Sequence, residues 1–387
     1  MRQSLRIAAR LAVVVLITAL ALAVWKREEL TRLLAVNSLF DRDRIVGNFS
    51  HMDAAFLTAP LPRGTGPVTP LPQGAPLTLP TGTSAWLNDR KITSLLILQN
   101  GAIRHESYHL GTRPEDRRIS WSMAKSYLSI LFGILLEEGR IDSLDDPVIK
   151  YAPALASSAY APASIRNVLN MASGVAFDED YLDKSSDINR MGREIALGGS
   201  LDDFTLALKD TIAPPGEQWT YVSIDTHVLG MVIRGATGRN LPDLLQEKVI
   251  AKLGQEEDGY YLTDGTGTAF ALGGLNMTTR DYARFAQMIA QDGEIAGQRI
   301  VSSDWVQAST TASAPTAPGK MGYGFQWWQA RDPRPDEVIA QGVYGQFLYI
   351  DRARDVVIVM TAADRRFREK GRTRENIEMF RRLADAL

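Results

Sequence analysis

A serine and a lysine three residues apart form the clearest catalytic pattern in the chain, Ser122 and Lys125. An apolar run with helical spacing follows them, and residues three apart share a helix face, so the amine is expected beside the hydroxyl. In the first turn of that helix, free backbone N–H groups would favour a developing anion. The pattern predicts nucleophilic catalysis by Ser122, with Lys125 as a base if burial favours its neutral form. It also fits a serine helix cap followed by a solvated lysine.

The bulk composition is that of an ordinary globular protein. The 387 residues are 45% apolar and 23% charged, which is enough for one large or two modest domains. A net charge of −2 gives no field that would recruit nucleic acid. The absence of cysteine excludes disulfides and thiolate metal sites but leaves the compartment open. The four histidines lack ligand spacing, so we predict neither a metal site nor a cofactor.

The predicted strands lie near the two ends of the chain. A hairpin is expected from Thr93 to Tyr108 around Asn100-Gly101, and a second strand pair at 346–350 and 356–360. A closing helix is expected from about Thr373 to Leu387. Strands at both ends with helical sequence between them predict an α/β (α+β) fold. Its antiparallel sheet would be built from both chain termini, with a largely helical insertion.

Residues 1–28 are predicted to be a transmembrane anchor or a signal segment. Three arginines precede an apolar run from Leu11 to Trp25, which reaches the ~20 residues of a spanning helix only if counted from Leu5. Ala21-Leu22-Ala23 is a candidate signal cleavage site. We favour an uncleaved anchor in the inner membrane, with the catalytic domain in the periplasm because of the positive-inside bias. Secretion after cleavage is the alternative.

Residues 29–84 are predicted to be a juxtamembrane segment and a proline-rich linker or wrapping arm. Seven prolines lie between Asp53 and Ser84, which excludes a helix or a central strand there. The folded domain is therefore placed at residues 85–387.

Three stretches resemble the serine β-lactamase and penicillin-binding-protein superfamily when taken in order. They are Ser122-Met123-Ala124-Lys125, Tyr221-Val222-Ser223 and Gln341-Gly342-Val343-Tyr344-Gly345-Gln346. More narrowly, they resemble the class C β-lactamase-related hydrolases, a group that includes 6-aminohexanoate-dimer hydrolase and related esterases. The resemblance covers roughly Thr93 to Met360. It implies a β-lactamase/transpeptidase-like fold and a serine hydrolase that forms an acyl-enzyme.

The resemblance assigns a proton-shuttle role to Tyr221. As a phenolate held ionised by Lys125, it would take the proton of Ser122; as a phenol, it would protonate the leaving group. The alternative is a buried tyrosine that hydrogen-bonds a backbone carbonyl. Ser223 stands where many relatives have asparagine, and it can hydrogen-bond Lys125 or cap the following helix.

An oxyanion hole needs two N–H donors that converge on one oxygen. One is expected to be the amide of Ser122, and the resemblance puts the other at Val343. Gly342 and Gly345 on either side fit a strand that approaches a ligand closely, or a β-bulge without function.

Five residues are predicted to contact substrate. Tyr181 lies in an acidic loop that matches a substrate-contacting tyrosine in the 6-aminohexanoate hydrolases, and Asn276 follows a double glycine where relatives also place a site residue. Core packing is the alternative for at least half of the set. The set is Trp121, Tyr181, Asn276, Trp327 and Tyr344.

The predicted function is hydrolysis of a small amide or ester through an acyl-enzyme on Ser122. Ala340-Gln341-Gly342 stands where true β-lactamases usually carry Lys-Thr-Gly, whose cation recognises the carboxylate of the drug. Loss of that charge favours neutral substrates. The alternatives are a penicillin-binding-like DD-peptidase that binds peptidoglycan peptides, and a non-catalytic membrane-tethered binding module. The predicted partners are the small-molecule substrate and the lipid bilayer, but not nucleic acid.

Overall fold

The structure is a computed structural model that describes residues 2–387, with the side chains of residues 2–5, 8, 9, 19, 20, 22 and 23 outside the description. The strands are β1 Leu57–Leu61, β2 Ile92–Gln99, β3 Ala102–Tyr108, β4 Arg118–Ile119, β5 Gly259–Thr263, β6 Leu275–Met277, β7 Glu294–Ile295, β8 Gln298–Arg299, β9 Gly322–Tyr323, β10 Trp328–Gln329, β11 Glu337–Gly342, β12 Gln346–Asp351 and β13 Val356–Ala362. The α-helices are α1 Arg2–Trp25, α2 Arg27–Asn37, α3 Ile45–Asn48, α4 Thr83–Asp89, α5 Ala124–Glu137, α6 Ile165–Leu169, α7 Asp187–Ala196, α8 Leu201–Leu206, α9 Ser223–Thr237, α10 Leu241–Leu245, α11 Ala251–Leu253, α12 Thr279–Ala290, α13 Ser303–Thr310 and α14 Arg372–Asp385. Short 3₁₀ turns occupy Met52–Ala54, Trp121–Met123, Val148–Lys150, Pro153–Ser157 and Arg352–Arg354, and a π-helical turn occupies Gln246–Ile250.

The main sheet joins strands from the two ends of the sequence, as predicted. Its order is β3-β2-β13-β12-β11-β10-β9, and each pairing is antiparallel. Asn100 and Gly101 between β2 and β3 have φ values of 50° and 72°, which fit the predicted type I′ turn. A second sheet, in the order β1-β5-β6-β4, was not predicted, because its strands are short and come from distant parts of the chain.

Helix α5 runs through the core and carries the predicted lysine in its first turn. Its side chains are buried on every side from Ala124 to Leu135, so it is a core helix, not an amphipathic surface helix. A Cβ at Gly133 would lie 2.3 Å from the indole ring of Trp305, which shows how closely the two pack. The indole Nε1 donates to the Ser129 carbonyl at 3.0 Å. These contacts hold the helix in a fixed position under the site.

The proline-rich arm is part of the folded body. Strand β1 lies at the edge of the second sheet, where Pro60 is tolerated because an edge strand can lack an N–H donor. Phe49, Met52 and Leu61 in the same arm are fully buried. The core therefore begins upstream of the boundary that we predicted at residue 85.

The segment predicted to be a membrane anchor, residues 1–28, forms α1 and the start of α2. Met1 and part of the α1 side chains lie outside the described residues. Within the part of the chain that the structure describes, no helix is both long and apolar enough to cross a bilayer. Arg6 and Arg10 leave an apolar run from Leu11 to Trp25, short of the ~20 residues required. The prediction of a transmembrane helix is therefore not supported.

Candidate active site

Ser122 and Lys125 lie together at the start of α5. Ser122 is in the 3₁₀ turn Trp121–Met123, and the Nζ of Lys125 lies 3.2 Å from its Oγ. Trp121 has a φ of 43°, an uncommon left-handed conformation for a bulky residue, directly before the serine. Lys125 is 1% exposed, so it is not the solvated lysine of the alternative interpretation.

The buried environment of Lys125 favours its neutral form. Its Nζ contacts the Leu272 carbonyl at 2.8 Å and the Ser223 hydroxyl at 3.4 Å. Burial lowers the pKa of Lys125 to about 7, although the carboxyl groups of Glu179 and Asp225 act in the opposite direction. Near neutral pH, a large fraction of the amine can therefore accept a proton.

Tyr221 borders the same serine and lysine. The Nζ of Lys125 lies 5.3 Å from the centre of the Tyr221 ring. Burial raises the pKa of Tyr221, and the nearby hydroxyls of Ser122 and Ser223 oppose that shift only in part. The resting side chain is therefore a phenol and not the phenolate, held ionised by Lys125, that the family resemblance implied. The ring stacks on Trp328 with centroids 5.4 Å apart.

The end of strand β11 lies against the backbone of the serine. A Cβ on Gly342 would lie 2.5 Å from the Ser120 carbonyl oxygen and 3.0 Å from the Ser122 nitrogen, so this approach requires glycine. Gln346 holds the Val343 carbonyl with an Nε2 hydrogen bond of 3.2 Å. In the described part of the chain, neither the Ser122 nor the Val343 N–H donates to a backbone carbonyl outside the helices and strands. These two amides are the candidate oxyanion donors.

Gly345 permits the turn that returns the chain into β12. Its φ is 91°, in a region that L side chains rarely adopt, and a Cβ there would lie 3.0 Å from the Cβ of Ala362. The residue before it, Tyr344, also has a positive φ, of 61°. The turn presents Val343 and Tyr344 beside the serine.

Two cavities open on Ser122. The larger has a volume of about 530 Å³ and the smaller about 190 Å³. Tyr181 and Val343 line both of them. Tyr221 lines the smaller cavity but not the larger one.

Three of the five predicted substrate contacts line the larger cavity. Trp121, Tyr181 and Tyr344 are all in its wall. Tyr344 is covered by Phe40 from the segment 29–84, here called the N-terminal arm, with ring centroids 4.9 Å apart and planes 12° from parallel. These residues are placed where they can touch a bound molecule.

The structure places the other two predicted contacts, Asn276 and Trp327, inside the core. Asn276 is fully buried in β6, where its Nδ2 donates to the Gly274 carbonyl at 2.9 Å. Trp327 is fully buried and packs parallel to Phe285. Its neighbour Trp328 lines the smaller cavity instead, because successive residues of extended chain face opposite sides.

Two acidic side chains near the lysine, Glu179 and Asp225, were not predicted as site residues from the sequence. Glu179 accepts a hydrogen bond from the Ser223 amide, and burial raises its pKa. Asp225 is fully buried and accepts hydrogen bonds from the Tyr160 hydroxyl at 2.6 Å and the Ser173 hydroxyl at 2.8 Å. Burial raises the pKa of Asp225 to about 7. Their positions in the sequence could have indicated them, because Glu179 lies in the acidic loop before Tyr181 and Asp225 lies two residues after Ser223.

Comparison with known protein families agrees with this fold. The Beta-lactamase family matches residues 91–378 of the chain. The protein therefore belongs to the β-lactamase family, within the serine β-lactamase and penicillin-binding-protein superfamily. The resemblance drawn from the sequence motifs is confirmed.

Individual relatives indicate which group of enzymes within this family the chain is similar to. The 6-aminohexanoate-dimer hydrolase of Paenarthrobacter ureafaciens is 32% identical over 280 residues, which cover 69% of this chain and 71% of the relative. A Bacillus anthracis structure described provisionally as a 6-aminohexanoate-dimer hydrolase superposes with a TM-score of 0.79 at 24% identity, covering 89% and 95% of the two chains. EstCE1, a hydrolase with promiscuous acyltransferase activity, has the same fold, with a TM-score of 0.62 at 17% identity over 79% and 96% of the chains. The protein is thus an enzyme of the amide- and ester-hydrolase class.

Proposed function

We propose that the protein cleaves a small carboxylic amide or ester through an acyl-enzyme on Ser122. The observation that carries the proposal is the 3.2 Å contact between the Ser122 hydroxyl and the buried amine of Lys125. An amine with a pKa of about 7 is a base at neutral pH, and a serine needs such a base within hydrogen-bond reach.

Acylation uses two proton transfers. Neutral Lys125 takes the hydroxyl proton of Ser122 while Oγ attacks the substrate carbonyl. The oxyanion accepts hydrogen bonds from the Ser122 and Val343 amides. As the tetrahedral intermediate collapses, Tyr221 gives its proton to the leaving nitrogen or oxygen, which departs as an amine or alcohol.

Deacylation returns every group to its starting state. A water molecule attacks the acyl carbon and gives its proton to the Tyr221 phenolate. Lys125, now an ammonium, returns its proton to the Ser122 oxygen as that bond breaks. The carboxylic acid leaves, and the phenol, the neutral amine and the hydroxyl are restored.

A neutral group on the leaving side fits the smaller cavity. Gln341 and Gly342 line this cavity, and they belong to the stretch Ala340-Gln341-Gly342 that replaces the cation-bearing Lys-Thr-Gly of true β-lactamases. The P. ureafaciens relative is named for an amide substrate, and a linear amide or its ester counterpart is the class we propose here. A location outside the cytoplasm stays a prediction from the N-terminal sequence.

Labelling tests the proposal directly. Incubation with a fluorophosphonate, followed by peptide mass spectrometry, should give an adduct on Ser122, and the Ser122→Ala variant should give none. An adduct on another residue, or no adduct on the wild-type protein, would contradict the mechanism. A panel of p-nitrophenyl esters, nitrocefin and short linear amides would then separate esterase, lactamase and amidase activity.

A further inference from the structure

The two cavities at Ser122 serve different halves of the substrate if the proposed mechanism holds. A general acid must reach the atom that departs, so the leaving group lies on the side of Tyr221. Tyr221 lines the smaller cavity. The larger cavity, which shares Ser122 and Val343 but not Tyr221, therefore receives the acyl group.

The larger cavity is walled mainly by apolar side chains. Its walls are formed by residues of α7, of the N-terminal arm and of the segment before β6. Its volume of about 530 Å³ is within the range of sites that enclose small-molecule ligands. The apolar residues that define it are Leu39, Phe40, Ile188, Met191, Ile195 and Phe270. Such a lining suits an aliphatic acyl chain.

Two cationic side chains interrupt this apolar lining. Lys184 and Arg193 both line the larger cavity, and Arg193 is half-buried. Among the described residues that line it, none is an aspartate or glutamate, and no ion pair is found for either cation. Asp187, on the same helix as Arg193, pairs with Arg190 at 2.8 Å. A half-buried guanidinium without a carboxylate partner favours an anionic ligand.

We infer that the acyl group is an aliphatic chain with an anionic far end, such as a dicarboxylic half-ester or half-amide, and that Arg193 with Lys184 selects it. This inference rests on the proposed function. An acyl chain that ends in an ammonium group would meet two like charges and be disfavoured. The preferred acyl group would thus differ from the one named in 6-aminohexanoate dimer.

Three esters with the same leaving group test the inference: p-nitrophenyl hydrogen adipate, p-nitrophenyl hexanoate and p-nitrophenyl 6-aminohexanoate. They differ only in the far end of the acyl chain, which is anionic, neutral or cationic. We expect the wild-type kcat/KM to rank adipate above hexanoate and hexanoate above aminohexanoate. In Arg193→Gln, the adipate-to-hexanoate ratio should fall about tenfold or more, as expected for loss of a charged hydrogen bond. Arg193→Glu should move the preference toward aminohexanoate.

Arg166→Gln is the control, because Arg166 is an exposed arginine of α6 that does not line the larger cavity. Its adipate-to-hexanoate ratio should stay at the wild-type value. The inference is overturned if the wild type prefers the aminohexanoyl ester, or if Arg193→Gln leaves the ratio unchanged. Absence of any ester turnover together with no adduct on Ser122 would instead refute the proposed function, and the inference with it.

Discussion

Gly342→Ala is expected to disable the enzyme while leaving it folded. The new Cβ would lie 2.5 Å from the Ser120 carbonyl oxygen, whereas real Cβ contacts essentially never fall below 3.0 Å. The end of β11 must therefore move away from the serine turn by at least about 0.5 Å. That movement carries Val343, the proposed second oxyanion donor, out of position.

The size of the effect follows from the lost donor. Removal of one oxyanion-hole hydrogen bond costs roughly 10²–10³ in kcat, and a misplacement of ~1 Å costs about 10². Overpacking at a close contact destabilises a protein by about 1–3 kcal/mol, so the variant should still fold at room temperature. We expect kcat to fall at least about a hundredfold on p-nitrophenyl hexanoate.

The assay combines steady-state kinetics with thermal unfolding. Gly47→Ala is the control, because Gly47 lies in helix α3 and an added Cβ there would have no atom within 4 Å. The control should keep wild-type kcat and thermal stability. A Gly342→Ala protein that is folded and keeps its kcat within about threefold would refute the assignment of the oxyanion hole to this strand end.

Three further outcomes are expected. Tyr221→Phe should lower kcat by roughly 10²–10⁴, which is the usual contribution of a general acid. The control variant Tyr323→Phe should keep the wild-type kcat, because the Tyr323 hydroxyl has no hydrogen-bond partner in the described part of the chain. Equal rates for the two variants would remove Tyr221 from the mechanism. Because the pKa of Lys125 is lowered to about 7 and its neutral form is the base, kcat/KM should rise with pH through about 7, and a flat profile there would contradict this role. Gly133→Ala should lower the free energy of unfolding by about 1–3 kcal/mol, because the new Cβ would clash with Trp305. Denaturant titration measures this change. An unchanged unfolding midpoint would show that the indole ring can move aside without cost.

Local patterns predicted the proximity of Ser122 and Lys125 and the pairing of strands in the main sheet. Ser122 and Lys125 share one helix turn, so their separation is fixed by helix geometry alone. The hairpin at Asn100-Gly101 is likewise set by its own turn residues. Prediction of the pairing of β2 with β13 needed one further assumption, namely that strands from the two ends of the chain share one sheet.

Tertiary contacts explain what the sequence did not reveal. Nothing local in Phe40 indicates that it will stack on Tyr344, some three hundred positions along the chain. Which of Trp327 and Trp328 faces the site depends on the orientation of the chain at the start of β10. Because both residues are tryptophans in an aromatic cluster, no alternation of polar and apolar residues indicates that orientation. Asn276 was predicted to contact substrate because the pairing of its strand, β6, with β4 and β5 in the second sheet was not predicted.

In the proposed mechanism, the reacting groups and the walls of the larger cavity come from different parts of the chain. The proposed reacting groups lie at the start of α5, just before α9 and beside the end of β11, whereas much of the proposed acyl wall comes from the N-terminal arm and α7. Substitutions such as Phe40 or Met191 to other apolar residues change the shape of the wall without touching a proton-transfer group. One catalytic centre can therefore acquire new substrate specificities through substitutions in the cavity walls. Natural evolution and enzyme engineering can both use these positions.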